Sequence, residues 1–335
     1  MRTLLTLATI LALSAQADAQ SGVSIQKKDG EYAVTIAGQP FTTLVAQKDD
    51  LAKPYLYPVL APAGVPVTRD WPMKKGTQNQ TTDHVHQKSA WFCHGDVIPV
   101  GVVLKQKSSD KHVKGVDFWS ESPGHGRIVV TDISVPKSSD PDAAFINTIM
   151  EWRAPEGIVV LTEKRVYKFS RVAGGRLISV ASILTANNGP VEFGDTKEGS
   201  FGIRVHDSLR MTLKGGDGML TNSAGKKGMK DVWGLPADWC DYSGTVNGKA
   251  AGVAIFAHPG NPIPSLWHAR DYGLLAANPF GRKASGFPAA KDRTDLFKIE
   301  KDKNATFRFA IFAHDGDVKS GQVAEAYEAY ARPGL

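Results

Sequence analysis

Ala254-Ile255-Phe256-Ala257-His258-Pro259-Gly260-Asn261 returns further along the chain as Ala310-Ile311-Phe312-Ala313-His314-Asp315-Gly316-Asp317. In each copy an apolar run ends at a histidine and then turns through glycine. Short apolar runs bounded by turn formers fit buried strands. One pair of echoes is too few for a repeat architecture, which needs several stacked units. The pair is instead expected to be two neighbouring core strands leaving the same edge of one sheet.

Working outward, the rest of the chain carries strand signals too. Val23–Gln26 and Tyr32–Ile36 flank a Lys-Asp-Gly turn and read as a hairpin. Pro54–Leu60 is extended, because each proline biases its predecessor away from helix. Residues 61–82, rich in proline, glycine and polar groups, form a long loop carrying Arg69, Asp70 and Trp71. Further strands are expected at 126–133, 145–152, 159–169, 177–186, 201–205, 251–257 and 306–313, with turn clusters between them. Helical periodicity is confined to Val323–Ala331, where Val323, Ala326, Tyr327 and Tyr330 make one stripe. The fold class is therefore mainly β, with two packed sheets and few short helices.

Residues 1–19 read as a secretory signal: Arg2, an apolar stretch Leu4–Leu13, and Ala17-Asp18-Ala19 before Gln20. No later run approaches the roughly 20 apolar residues of a membrane span. The expectation is an exported protein, periplasmic or extracellular, with 20–335 as a single β-sandwich domain. The net charge of +6 is scattered over pairs such as Lys27-Lys28 and Lys226-Lys227. That is no concentrated basic surface, so no nucleic-acid partner is expected. Two cysteines, Cys93 and Cys240, permit either one disulfide or two buried thiols.

Chemistry-bearing side chains concentrate in three stretches. Asp83-His84-Val85-His86-Gln87-Lys88 leads into Trp91-Phe92-Cys93-His94-Gly95-Asp96. If the first of these is extended, His84, His86 and Lys88 share a face, and two imidazoles there can hold a metal, a sugar hydroxyl or a proton. Phe193–Val205 contains Asp195, Lys197, Glu198 and Arg204, ending in an alternating strand. Trp267–Gly281 gathers His268, Arg270, Asp271 and Tyr272 with few helix or strand signals. Trp233, Trp239 and Tyr242 form an aromatic cluster that suits either a saccharide cleft or the core. No Gly-x-Ser-x-Gly, His-Glu-x-x-His, phosphate-loop or dinucleotide pattern occurs.

These stretches, with Val116-Asp117-Phe118-Trp119, resemble the DUF6807 family over roughly residues 40–320. The resemblance implies a large two-sheet β-supersandwich like that of galactose mutarotase, in exported proteins of glycan-degrading settings. The family's commoner pattern is Asp-His-x-His-His, and here Gln87 stands at the last position. Its members also carry the label methane oxygenase PmoA. A membrane oxygenase subunit is built of spanning helices, and this sequence offers none after residue 19.

Residues and resemblance together give a carbohydrate-active enzyme of epimerase or mutarotase, lyase or hydrolase type, with a sugar or oligosaccharide as partner. His84, His86, His268 and Glu198 or Asp195 are the expected catalytic groups. Arg69, Trp71, Lys197, Arg204, Arg270, Asp271 and Tyr272 are the expected substrate contacts. One alternative is a divalent metal on His84, His86 and His94, completed by Asp96, Glu198 or His268. The other is a non-catalytic glycan-binding module using Trp71, Trp239 and Tyr272.

Overall fold

Phe92, Phe201 and Phe309 mark where the two main sheets meet. The structure, a computed structural model, describes residues 22–332, so the expected export signal lies outside the described residues. Phe92 and Phe201 belong to one eight-stranded sheet and Phe309 to another. The Phe201 and Phe309 rings stack 5.0 Å apart, and Phe92 lies 6.1 Å from Trp152 of the second sheet.

Every strand pairing is antiparallel. The first sheet runs Val23–Lys28, Glu31–Ile36, Gln39–Val45, Tyr55–Val59, Ala90–His94, Gly199–Arg204, Leu274–Asn278, Leu266–Ala269. The second runs Met219–Asn222, Trp239–Val246, Lys249–Ala257, Asn304–Asp315, Gly175–Thr185, Val159–Val172, Ala143–Arg153, Arg127–Ser134. A third sheet of three strands joins Phe297–Ile299, Val191–Phe193 and Val97–Pro99. Val323–Ala331 is helical as its stripe predicts, and lays Val323, Ala326 and Tyr330 on Trp239, Phe256 and Phe312. No helix among the described residues is long and apolar enough to cross a membrane.

The mainly β, two-sheet expectation holds, and each of the seven later strands is present within a few residues of its expected bounds. Two expectations fail locally. The echoing strands are neighbours, but they run antiparallel, with Ala257 opposite Phe309 and Ala251 opposite Asp315. His258 and His314 therefore leave the sheet at opposite ends. Trp267–Gly281 is not a loop: Leu266–Ala269 and Leu274–Asn278 pair as a hairpin, whose buried Ala-rich strands lack the β-branched residues that advertise a strand. Trp239 and Tyr242 are core residues. Both cysteines are free and buried.

An ion pair lies in the sandwich interior, Glu163 with Arg165, each about 1% exposed. Arg165 donates to both Glu163 oxygens at 2.7 and 2.8 Å, to Tyr167 Oη at 3.0 Å and to the Phe92 carbonyl of the facing sheet at 3.3 Å. Trp152 Nε1 and Ser182 Oγ complete the carboxylate at 2.7 and 2.6 Å. A satisfied buried pair is close to neutral in stability, whereas a broken one strands a charge. Glu163→Ala is expected to cost about 3–5 kcal/mol, read as a lower denaturant midpoint, while Glu163→Leu with Arg165→Met recovers most of the loss. A Glu163→Ala midpoint equal to wild type would contradict this account.

Candidate active site

The site is built on the face of the first sheet that points away from the second. Directly opposed residues on antiparallel strands project to the same side. Trp91 faces Gly202, Gly202 faces Ala276, and Ala276 faces His268, so the four form one row across four strands. The two middle members have almost no side chain, which leaves a trough between an indole and an imidazole. Trp119 fills it, with its ring 5.1 Å from Trp91 and 6.3 Å from His268. A Cβ on Gly202 would lie 3.1 Å from Trp91 and 3.3 Å from Trp119. The Trp119 backbone is pinned from both sides: its N–H donates to Asp117 Oδ1 at 2.7 Å, and its carbonyl accepts from buried Lys53 at 2.9 Å. Lys53 and Lys88 share Glu121 at 2.8 and 2.6 Å.

Above the trough lies a cleft of about 400 Å³ lined by His84, His86, Lys197, Glu198, His268, Arg270 and Tyr272, together with Trp119 and Ser120. Seven residues expected from three distant stretches of sequence thus meet in one place. His84 and His86 do not sit on a strand. His84 has a left-handed φ of 45° and its carbonyl accepts the Gln87 N–H at 2.9 Å, so the segment is a turn. The rings still approach each other, 5.7 Å apart and edge-on.

The turn is held from below by two fully buried guanidiniums. Arg69 donates to Asp83 Oδ1 at 2.7 Å and to the carbonyls of Asp83 and His84 at 3.0 and 2.9 Å. Arg204 donates to Asp83 Oδ1 and Oδ2 at 2.9 and 3.1 Å and to Gln87 Oε1 at 2.5 Å. It also stacks on the Tyr272 ring at 4.6 Å, and Tyr272 in turn stacks on His84 at 5.3 Å. Burial opposes the Asp83 charge, but Arg204, His84 and Arg69 together outweigh it and hold the carboxyl well below its usual range. Arg69 and Arg204 are therefore supports of the site, not the substrate contacts expected of them.

The cleft's imidazoles divide by environment. Burial, reinforced by Lys53 and His84, pulls His86 down to about 3. Burial and then Arg270 do the same to His268. His268 is 1% exposed, with Trp119 on one side and Trp233 at 5.2 Å on the other, and forms a sealed back wall. Neither of its nitrogens has a hydrogen-bond partner among the described residues, nor do the Trp91 and Trp119 indole nitrogens. Such atoms cost about 1–3 kcal/mol each when unpaired. His84, Glu198 and Lys197 keep side chains 42%, 33% and 43% exposed, with Lys197 and Glu198 paired at 3.1 Å. Arg270 lies over the Trp233 ring at 4.2 Å.

Several expected residues lie elsewhere. His94 is in the core: Nε2 contacts the Gly194 carbonyl at 2.8 Å, Nδ1 contacts Ser200 Oγ at 3.3 Å, and the ring packs on Phe280 and Phe193. Gly199 is the residue that lets it fit, since a Cβ there would meet Nδ1 at 2.4 Å. The expected triad of His84, His86 and His94 is thus not assembled. Among the described residues no group of three or more His, Cys, Asp or Glu is arranged to hold a metal ion. Asp195 spends its carboxylate on the N–H groups of Arg282, Ala284 and Ser285, and Asp96 spends its own on Lys114 and Gly115. Trp71 and Asp271 do not line the cleft either, and Trp71 packs under Lys75. Trp239 is on the far sheet, beneath the helix. Trp119 was missing from the expected set. Its cue in the sequence was indirect, the small Gly202 and Ala276 on strands that only the register brings side by side.

The model of the DUF6807 family, described as a family of unknown function, matches residues 31–328, and the chain belongs to that family. No curated protein matches it. Among solved structures it is similar to the galactose 1-epimerase of Lactobacillus acidophilus NCFM, at 7% identity and a TM-score of 0.43, over 88% of this chain and 99% of that one. It is also similar to a galactose mutarotase-like protein of Clostridium acetobutylicum, at 10% identity and a TM-score of 0.39, with the same coverage.

The depressed histidines make folding sensitive to acid. A folded state that keeps His268 neutral down to about 3 binds fewer protons than the unfolded chain below the ordinary value of 6.5. Its contribution is complete above 6.5 and falls as pH drops through that window, by up to about 1.4 kcal/mol per unit. Urea midpoints measured from pH 7 to pH 4 should decline, and His268→Phe should flatten the decline. An unchanged slope in that variant would show that His268 does not titrate this way.

Proposed function

We propose that this member of the DUF6807 family is a carbohydrate-active enzyme that works by general acid–base chemistry in the cleft between His84, Glu198 and the Trp119 wall. The observation that carries the reading is the convergence of His84 and His86, Lys197 and Glu198, and His268, Arg270 and Tyr272 on one concave site. Glu198 and His84 are the accessible proton carriers. His86, kept neutral, offers one donor and one acceptor to a hydroxyl. Lys197 and Arg270 grip ring oxygens or a carboxylate, and the half-buried Tyr272 supplies an aromatic edge beside them. Proton transfer at an anomeric or carbonyl-adjacent carbon, as in mutarotation, epimerisation or β-elimination, needs no more than these groups. The leader-like sequence of residues 1–19 puts this activity outside the cytoplasm in the same proposal.

Incubation of the protein with neutral and uronic mono- and oligosaccharides, followed by proton NMR, is expected to reveal turnover of at least one. His84→Ala and Glu198→Gln should each lower the rate by roughly 10²–10⁴-fold with the fold intact. Trp71→Ala, outside the cleft, should leave it unchanged. A full panel with neither turnover nor binding would sink the proposal, and binding that survives both variants without any turnover would favour a glycan-binding module.

A further inference from the structure

We propose that Asp83 is a positioning residue: locked between Arg69 and Arg204, it fixes the tautomer and ring plane of His84 so that His84 meets a ligand through Nε2. This assignment rests on the acid–base reading of the cleft. His84 Nδ1 lies 2.6 Å from Asp83 Oδ2. A carboxylate only accepts, so Nδ1 carries a proton, and in the neutral imidazole Nε2 is then the nitrogen with the lone pair. The other carboxylate oxygen takes a guanidinium from each side, at 2.7 and 2.9 Å. Rotation of Asp83 would break both pairs. Stacking on Tyr272, interplanar angle 10°, holds the ring itself. With Nδ1 committed, Nε2 is the nitrogen left for the cleft.

The arrangement sets the course of a proton. His84 Nε2 takes a proton from a substrate O–H or C–H, the electron pair of that bond staying on the substrate. The imidazolium so formed keeps its Nδ1–H on Asp83, which remains ionised. Nε2 then returns the proton to the rearranged substrate, leaving the enzyme as it began. Orientation of a histidine by a carboxylate in this manner is a general device of acid–base sites. Gln87 extends the brace: its side-chain oxygen holds Arg204 at 2.5 Å, so the residue at this position steadies the cage instead of adding a third imidazole.

Asp83→Asn gives a test that does not need the substrate. In that variant the amide oxygen stays with the two guanidiniums, which can only donate, and the amide NH₂ turns to His84. Nδ1 must then accept, and the proton moves to Nε2. Nitrogen-15 NMR of the imidazoles in the whole protein should show His84 as the Nδ1–H tautomer in wild type and as the Nε2–H tautomer in Asp83→Asn. On any sugar the wild type turns over, kcat should fall by roughly 10²–10⁴-fold with KM little changed, and Asp83→Glu should restore part of it. A wild-type His84 protonated on Nε2 overturns the assignment, and so does an Asp83→Asn protein that keeps Nδ1–H; if that variant does not fold, the wild-type spectrum alone decides. A correct tautomer switch with no sugar turned over by wild type would leave the positioning role standing and remove the sugar reading.

Discussion

Two guanidinium groups cannot be sealed side by side in a protein interior unless an anion sits between them. Arg69 and Arg204 are both 0% exposed, and burial together with Arg204 pulls Arg69 down to about 10. Asp83 is the anion, and its position dictates much else. Arg69 comes from the long loop after Val59, and Arg204 from the end of Gly199–Arg204. One carboxylate thus joins a loop, a central strand and the histidine turn. The charge cluster belongs to the scaffold and the ligand-facing groups hang from it.

The second constraint is steric. A sheet face becomes concave where its central strands carry little side chain, and Gly202 with Ala276 supplies that depression. Trp119 lies in it, while its own backbone is held by Asp117 and Lys53. The aromatic wall of the cleft is consequently made by a loop residue resting on a sheet, with an amine from the early part of the chain beneath it.

The sequence made the strands legible wherever a β-branched or aromatic run met a glycine or proline turn. It failed at Leu266–Ala269 and Leu274–Asn278, where alanine and leucine are equally at home in a helix. The cleft was legible because its accessible groups are clusters of histidine, lysine, arginine and glutamate within short windows. Sequence proximity misled for His94 and Asp96, which sit in the same window as His84 yet point into the core, and for Asp195, which caps a loop three residues from Glu198. Linear spacing does not reveal which face of a strand, or which side of a turn, a residue takes. Nor could it separate Arg69 and Arg204, which act from beneath, from Arg270, which faces the cleft, since all three are equally polar on paper.

The unpaired thiols carry a consequence for how the molecule is made. Cys93 lies in the first sheet and Cys240 in the second, and burial pushes Cys93 up to about 12 and Cys240 well above its ordinary value. Neither offers a thiolate to an oxidant once folded. The folded molecule therefore keeps two thiols, one in each main sheet, that its own packing shields from oxidants.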